Sequence, residues 1–573
     1  MPIKAFFNEK FVFLDPSLTL NKLVEYINAK HDNWFELGLV VDKEGALIGV
    51  VNNLDIIKSI SKSKRDILIK DVMNPSPIKI NSKLLPKEII KEVREKVNLR
   101  SHGLKDLTRF IPLVNEQQRV VDVVDVYDLI THESFKNENI EIYGLGFVGI
   151  TLAASLASVG HNVTGIDVNE DLIKKLNNGV IHVHEPGLSD LNNAMRKIKK
   201  LTFCSRPPDY HNKFYIVCVG TPISETGKAN LQDLKSVLGI ISKRLKRGDN
   251  VMLRSTVPVG TTRNFAKKIL ERNNNLIAGR DFHLSFTPER TVEGNAIEEL
   301  KTLPQIVGGL TPKCKEIALS FWQTMVNVVV PTDCLESAEL VKLINNSFRD
   351  LTFAFSNALT LLADQYNIDS NQLIFLANEG YPRNKIAKPS PGVGGYCLTK
   401  DPLLYASTNL NSPHAKLSKL GREINEEISD YPIKVFKKFI KSQNLSISKL
   451  KILIIGITFK GWPETNDIRG SISLKIANEF NNRCSKLDLY DAVLCEEDFK
   501  KLNFHYCDIY KRKVINYDAI FIMNNHPKNI KKDFLKSLPD KKLFIFDGWN
   551  LLEKRTVLGY KNIHFYNLGF NSP

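Results

Sequence analysis

Ten residues gather the reactive side chains: Gly392-Val393-Gly394-Gly395-Tyr396-Cys397-Leu398-Thr399-Lys400-Asp401. Glycines permit close backbone approach to a ligand, and a thiol follows them with a lysine and an aspartate within one helical turn. A thiolate is a strong nucleophile that a neighbouring cation stabilises. The stretch therefore reads as a site for covalent catalysis on an electrophilic carbon, or else as a structural cysteine beside a turn. Upstream, Lys342 and Asn346 stand four apart and share one face of a helix, although a lysine so placed is ordinarily just exposed. In Thr287-Pro288-Glu289-Arg290-Thr291-Val292-Glu293-Gly294 two carboxylates are also four apart. They share a face if the turn is helical; the alternative is a solvated helix start, where acids are favoured. Lys460 and Arg469, at strand ends, suit a phosphate or the bare surface.

A second constellation is Gly144-Leu145-Gly146-Phe147-Val148-Gly149. Alone, GxGxxG says little. Here the strand Asn139–Tyr143 precedes it, an apolar helix over 150–159 follows, and the next strand, Asn162–Ile166, ends at Asp167. In that setting the glycines admit a pyrophosphate at the helix N-terminus, and Asp167 would bind the adenosine ribose, favouring NAD over NADP. Strands over 214–219 and 250–253 extend the same sheet. Ligands collect at the carboxyl ends of such strands, which puts Thr221 and Thr256 on the cofactor side.

These residues need a scaffold. At 573 residues, 43% hydrophobic and 25% charged, the chain is of globular composition and too long for one core. Its start lacks the apolar run of a signal peptide, and no run is long enough for a membrane span. The eight cysteines are scattered without CxxC pairs, which reads as reduced thiols in a cytoplasm, with no disulfide framework and no zinc site. The net charge of +16 is spread along the whole chain. That suits small phosphate-bearing anions better than a nucleic acid, whose binders cluster their basic residues.

Helical periodicity covers 336–378, where Leu340, Leu343, Ile344, Phe348, Leu351, Phe355 and Leu359 recur at three- and four-residue steps. Such a helix joins two α/β domains and often forms a dimer interface. A second amphipathic helix is predicted over 413–441. Alternating strands at 451–455, 487–490, 519–523 and 543–547 describe another doubly wound sheet, without GxGxxG glycines. Near the N-terminus the pattern strand, turn, strand, helix occurs twice: 37–41 with 47–51, then 110–114 with 120–124, an internal repeat. Residues 132–138 read as a linker.

The repeat resembles a tandem CBS pair, with Gly49-Val50-Val51-Asn52-Asn53-Leu54-Asp55 at the family signature. The resemblance implies an adenine nucleotide whose ribose meets Asp55 and Asp128. Asp122, where that family has glycine, and Asp125, where it has threonine, argue against ligand binding in the second copy. From residue 140 onward the motifs GLGFVG, VCVGTP, STVPVGTT, TPERTVEG, VKLINNSFR, PGVGGYCLTKDP and GITFKGWPETNDIR occur in the order of one family. The chain resembles the UDP-glucose/GDP-mannose dehydrogenases, NAD-dependent enzymes that oxidise C6 of a nucleotide sugar to a carboxylate.

That resemblance implies a fold: two doubly wound Rossmann-like α/β domains joined by a long central helix, preceded by a tandem CBS module. The divisions are 1–133, 138–333, 334–440 and 441–573. It makes Cys397 the nucleophile and Lys342 the oxyanion stabiliser. Asn346, Asp401, Thr256 and Glu289 organise water and base chemistry. Gly144, Gly146, Phe147, Val148, Gly149, Asp167, Thr221, Thr256 and Glu293 meet NAD. Glu289, Lys342, Asn346, Arg383, Gly392, Gly394, Gly395, Lys460 and Arg469 hold the UDP-sugar. The substrate expected is UDP-N-acetylglucosamine or UDP-N-acetylmannosamine, made into a surface-glycan precursor. UDP-glucose is the alternative, because Lys400 and Tyr396 depart from the N-acetylhexosamine pattern. A homodimer or higher homo-oligomer is expected. The alternative of another class is a nucleotide-sensing protein acting through its CBS pair.

Overall fold

The computed structural model describes residues 3–5, 11–29, 37–52, 56, 59, 67–84, 92 and 110–125 of the N-terminal unit, and 137–571 except 225–227, 274, 367, 384, 512–515 and 531–533. Two compact units divide the chain, Met1–Lys136 and Asn137–Pro573. Among the described residues no helix is long and apolar enough to cross a membrane.

In the N-terminal unit β1 (Ile3–Ala5), β2 (Phe11–Leu14), β3 (Leu37–Val41) and β4 (Leu47–Val51) form one sheet, with helix α1 (Leu20–Ala29) between β2 and β3. A second sheet holds β5 (Ile80–Asn81), β6 (Phe110–Val114) and β7 (Val120–Asp125). The internal repeat extends to register. Val40 faces Gly49 with an irregularity after Val40, and Leu113 faces Asp122 with one after Leu113. Each hairpin turn is closed by one side chain: Asp42 accepts from the N–H groups of Glu44 and Ala46, and Asn115 from those of Gln117 and Arg119, a local bond that favours turns. Gly49 leaves no room for a Cβ, which would meet Met73 Sδ at 2.5 Å, whereas Asp122 is exposed. Asp55, Asp128, both predicted helix starts and most of the linker lie outside the described residues.

The second unit opens with an eight-stranded sheet: β8 (Asn139–Tyr143), β9 (Asn162–Ile166), β10 (Leu201–Cys204), β11 (Phe214–Val217), β12 (Asn250–Leu253), β13 (His283–Phe286), β14 (Gln305–Gly309) and β15 (Val329–Pro331). Their order is β10-β9-β8-β11-β12-β13-β14-β15, parallel except where β14 meets β13. The first six take the doubly wound dinucleotide-fold order, whose switch point lies between β8 and β11. Helix α2 (Phe147–Ser158) follows β8 directly and is buried from Gly149 to Ala157. The second sheet holds β16 (Lys451–Ile455), β17 (Lys486–Tyr490), β18 (His505–Tyr506), β19 (Ala519–Ile522), β20 (Leu543–Asp547), β21 (Ile563–Asn567) and β22 (Phe570–Asn571). It repeats the topology as β18-β17-β16-β19-β20-β21-β22. Its central strands are buried on both faces and accordingly read as unbroken apolar runs.

Between the sheets runs α3 (Leu335–Gln365), 31 residues long, or about 46 Å. It packs against α4 (Tyr396–Ser407) and α5 (Pro413–Glu427). The expected helix over 336–378 is two helices, because Asp369 caps a new one, Ser370–Asn378, by accepting from the N–H groups of Asn371 and Gln372. The helix expected over 413–441 is likewise broken: α5 ends, a 3₁₀ turn spans Ile428–Asp430, and α6 (Tyr431–Ser442) begins with Pro432 in its first turn, where a missing N–H costs nothing.

The face of α3 buried within the protomer is largely polar. Glu339, Lys342, Ser347, Asp350, Asn357 and Thr360 are inside, with small Ala338, Ala354 and Ala363 between them. Of the apolar stripe Leu343 is buried, but Phe348 is 69% exposed and Phe355 61%. The usual amphipathic rule is inverted because α4, α5 and the loop before α4 supply polar partners to the inner face.

Candidate active site

At the switch point, Gly149 packs on the turn so tightly that a Cβ would fall 1.8 Å from the Gly144 carbonyl oxygen. A Cβ on Gly146, by contrast, would meet nothing within 4 Å. Gly146 caps α2 without a side-chain hydrogen bond, so open space faces N–H groups that have no intrahelical partner. Phe147 and Val148 form that first turn, half-buried. A pyrophosphate fits this place. Asp167, at the end of β9, accepts from the N–H of Leu145 at 2.8 Å and of Asn169 at 3.0 Å, so it braces the glycine turn. Across the sheet, the buried Thr221 hydroxyl donates to the carbonyl of half-buried Thr256, tying two strand-end loops together.

The thiol of Cys397 lies in the first turn of α4. It opens to solvent, yet protein surrounds it on its other sides. Burial pushes the thiol above its ordinary range, opposed chiefly by the Lys342 ammonium. Lys342 itself is buried on the inner face of α3. One turn along α3, Asn346 donates through Nδ2 to Asp401 at 2.6 Å, and Lys400 donates to the other Asp401 oxygen at 2.6 Å. Asp401 is fully buried. Both its oxygens are held by donors, as a buried carboxylate requires. The structure thus brings together Cys397, Lys342, Asn346 and Asp401, and adds Lys400.

Glu289 and Glu293 are not on a common helical face, because residues 287–292 have no helical structure. Glu289 is ion-paired with buried Arg254, whose Nε lies 3.1 Å away, and its other oxygen accepts from the N–H groups of Arg290 and Thr291. Burial would raise its carboxyl, but Arg254 and the Thr291 N–H outweigh burial and hold it below the usual range. Lys342 acts on it as well. So Glu289 sits by the cluster as a committed carboxylate. Glu293 was expected at the cofactor. It faces the second sheet's loops: Thr465 donates to it at 2.8 Å, Lys460 donates to its carbonyl at 2.5 Å, and Arg469 lies 3.8 Å away. Burial, then Asp467, raises its carboxyl.

Arg469 was expected to face a diphosphate. Its guanidinium forks onto both oxygens of Asp467 at 2.6–3.0 Å and lies 4.6 Å over the ring of Tyr396. Lys460 is half-buried, and burial lowers its ammonium. The glycines of the reactive loop serve contact within the protein. A Cβ on Gly394 would lie 2.4 Å from the Gly470 carbonyl, and one on Gly395 2.7 Å from the Phe459 ring. Gly392 holds φ at 121°. Arg383 is exposed and stacks on Tyr381 at 5.4 Å. Arg254 escaped sequence reading, though an arginine directly after the buried β12 must find an acid, and that signal leads to Glu289.

Family models match nearly the whole second unit: the NAD binding domain of the UDP-glucose/GDP-mannose dehydrogenase family over 138–326, its central domain over 336–427 and its UDP binding domain over 453–554. A CBS domain model matches 3–62. The chain is 32% identical over 422 residues to a UDP-N-acetyl-D-mannosamine dehydrogenase of Pyrococcus horikoshii, covering 73% of this chain and 97% of that protein. It is 35% identical over 349 residues to one of Campylobacter jejuni, covering 59% and 83%. A solved structure of the UDP-D-ManNAc enzyme from Pyrococcus horikoshii superposes with a TM-score of 0.66 at 30% identity, covering 75% of this chain and 99% of that one.

Proposed function

The chain belongs to the UDP-glucose/GDP-mannose dehydrogenase family and is an NAD-dependent nucleotide sugar dehydrogenase with a CBS domain at its N-terminus, and from that premise we propose that it oxidises C6 of UDP-N-acetylmannosamine to the uronate through a covalent bond to Cys397. The sugar rests on the relatives, several of which are UDP-N-acetyl-D-mannosamine dehydrogenases. The observation that carries the chemistry is the thiol in the first turn of α4, with Lys342 acting on it and Asn346–Asp401–Lys400 beside it.

Bound NAD supplies the hydride acceptor, two equivalents per turnover. After the first oxidation Cys397 attacks the C6 aldehyde, its proton leaving to solvent, and forms a thiohemiacetal. The second oxidation leaves a thioester, and water releases the uronate and restores the thiol. A covalent hold keeps the aldehyde from escaping or hydrating. Lys342 stabilises the oxyanion of each tetrahedral stage; a buried ammonium suits that task. Asn346 and Asp401 orient the water and Asp401 takes up its proton, while Glu289, fixed by Arg254, stands as a carboxylate beside Lys342. Lys460 and Arg469 meet the diphosphate once Arg469 exchanges part of its hold on Asp467. Homodimerisation through α3 and a product that serves surface-glycan synthesis complete the proposal.

The test is a panel of UDP-N-acetylmannosamine, UDP-N-acetylglucosamine and UDP-glucose followed as NADH. Two NADH per UDP-N-acetylmannosamine are expected, and no uronate from Cys397→Ala. A preference for UDP-glucose overturns the sugar; uronate formed by Cys397→Ala overturns the covalent step.

A further inference from the structure

Both ends of the reactive loop lead back to one buried carboxylate that lies outside the cluster around Cys397. Asp350, on the inner face of α3, is fully buried. Its Oδ1 accepts from Arg422 Nη1 at 2.7 Å and from Asn425 Nδ2 at 2.8 Å, both on α5. The same Arg422 nitrogen reaches the carbonyl of Leu398, the residue after Cys397, at 3.4 Å. In the other direction, Asn425 accepts on Oδ1 from Asn357 Nδ2 at 2.8 Å, and Asn357 Oδ1 accepts from the N–H of Ser390 at 2.9 Å. The Ser390 hydroxyl then donates to the carbonyl of Gly392 at 2.9 Å. The loop from Ser390 to Leu398 is therefore pinned at its entry and at its exit.

A buried ion pair is a poor device for stability, since apolar residues of similar volume do as well or better. It is a good device for register, because charge-assisted hydrogen bonds fix direction; Asp350 does this through Oδ1 alone, its buried Oδ2 having no partner. Register is what this site needs. Lys342 and Asn346 belong to α3, whereas Cys397 and Asp401 belong to α4. A misplacement of about 1 Å between such groups can cost about a hundredfold in rate. Asp350 stands on the same helix as Lys342 and Asn346, so whatever it fixes is fixed relative to them.

We propose that Asp350, paired with Arg422, is a positioning residue that sets the Cys397 loop against α3; this rests on the reading of Cys397 as the nucleophile. It touches no reacting atom. Its effect passes along two arms, one through Arg422 to the first turn of α4, the other through Asn425 and Asn357 to Ser390.

The test uses the full chain carrying Asp350→Asn, which keeps shape and one hydrogen-bond acceptor while removing the charge. A fall in kcat of about 10- to 100-fold is expected, with KM for NAD unchanged. Amide hydrogen exchange in residues 390–398 should speed up while β8, β9 and β16 keep their protection. Unchanged exchange in the loop, or a rise spread evenly over the second unit, overturns the proposal. If Arg422 left unpaired unfolds that variant, Asp350→Asn with Arg422→Gln removes both charges and must give the same loop exchange and the same loss of kcat. Cys397→Ala separates the two readings. Turnover retained there overturns the nucleophile, while faster loop exchange in Asp350→Asn still supports the brace.

Discussion

Cys397 stands between opposed influences: surrounding protein disfavours its thiolate, and the Lys342 ammonium favours it. Burial prevails, so in the free enzyme the thiol holds its proton above the ordinary range near pH 8.5. The sign of the Lys342 effect gives a prediction. Replacing Lys342 with Met removes the largest opposing influence, moves the thiol further up, and makes its alkylation several-fold slower at a fixed pH of about 8. Rates of iodoacetamide labelling at the Cys397 peptide, followed by mass spectrometry across pH, measure this. A wild-type rate that levels off by about pH 7, or a Lys342→Met curve displaced to lower pH, would refute it. Type and interval left Cys397 open between a reactive and a structural thiol and Lys342 between a site and the surface; the resemblance assigned their roles, and the structure shows that Lys342 acts on Cys397 and that Asn346 holds Asp401. The partner of Glu293 was not legible, because Thr465 comes from a loop of the second sheet; Arg254 meets Glu289 across neighbouring strand ends of the first sheet, and Asp467 holds Arg469 from two residues away.

Helix α3 is the element that converts these residues into a site. Its period of apolar residues was legible, and so were the strands, since a buried parallel strand is an apolar run that few other structures imitate. The face was not. Periodicity reports that one side of a helix differs from the other, and it leaves open which side the rest of the molecule will cover. Here α4 and α5 cover part of the polar side, and Glu339 turns another part toward a loop of the first sheet. Its Oε1 accepts from the N–H and hydroxyl of Thr262 at 2.8 and 2.6 Å, and its Oε2 from the N–H of Gly260 at 2.5 Å. The loop so held begins with Thr256, on the cofactor side of the first sheet. Glu339→Ala leaves three buried donors without a partner, at about 1–3 kcal/mol for each group. KM for NAD should rise by about tenfold or more, with KM for the UDP-sugar unchanged. Initial rates over a grid of both substrates decide the matter. Equal shifts in the two KM values would mean general loosening, and no shift would mean that the loop holds itself.

At the scale of the whole molecule the inverted helix leaves a debt on its outer side. Ile344, Phe348, Phe355 and Leu362 are 44–69% exposed along α3, and Leu417 and Leu420 on α5 are 53% exposed. Monomeric proteins rarely show water an apolar patch of more than about a few hundred Å². A second copy offers a matching surface through a two-fold axis, where the same patch meets itself. The +16 charge of each chain opposes that meeting, and salt screens charges over about 10 Å at 0.1 M. Association should therefore tighten as salt is added, the opposite of a contact held by surface ion pairs. Phe348→Glu with Phe355→Glu should convert a dimer into a monomer that keeps its helical content, since neither side chain is buried within the protomer, and that unfolds at a lower temperature no longer dependent on concentration. Activity should fall with dissociation, because the far side of the same helix carries Lys342 and Asn346. Sedimentation velocity at two salt concentrations, with rates measured on the same samples, tests all three statements. A monomeric wild-type chain at micromolar concentration removes the premise, and a double variant that stays dimeric moves the interface elsewhere on the molecule.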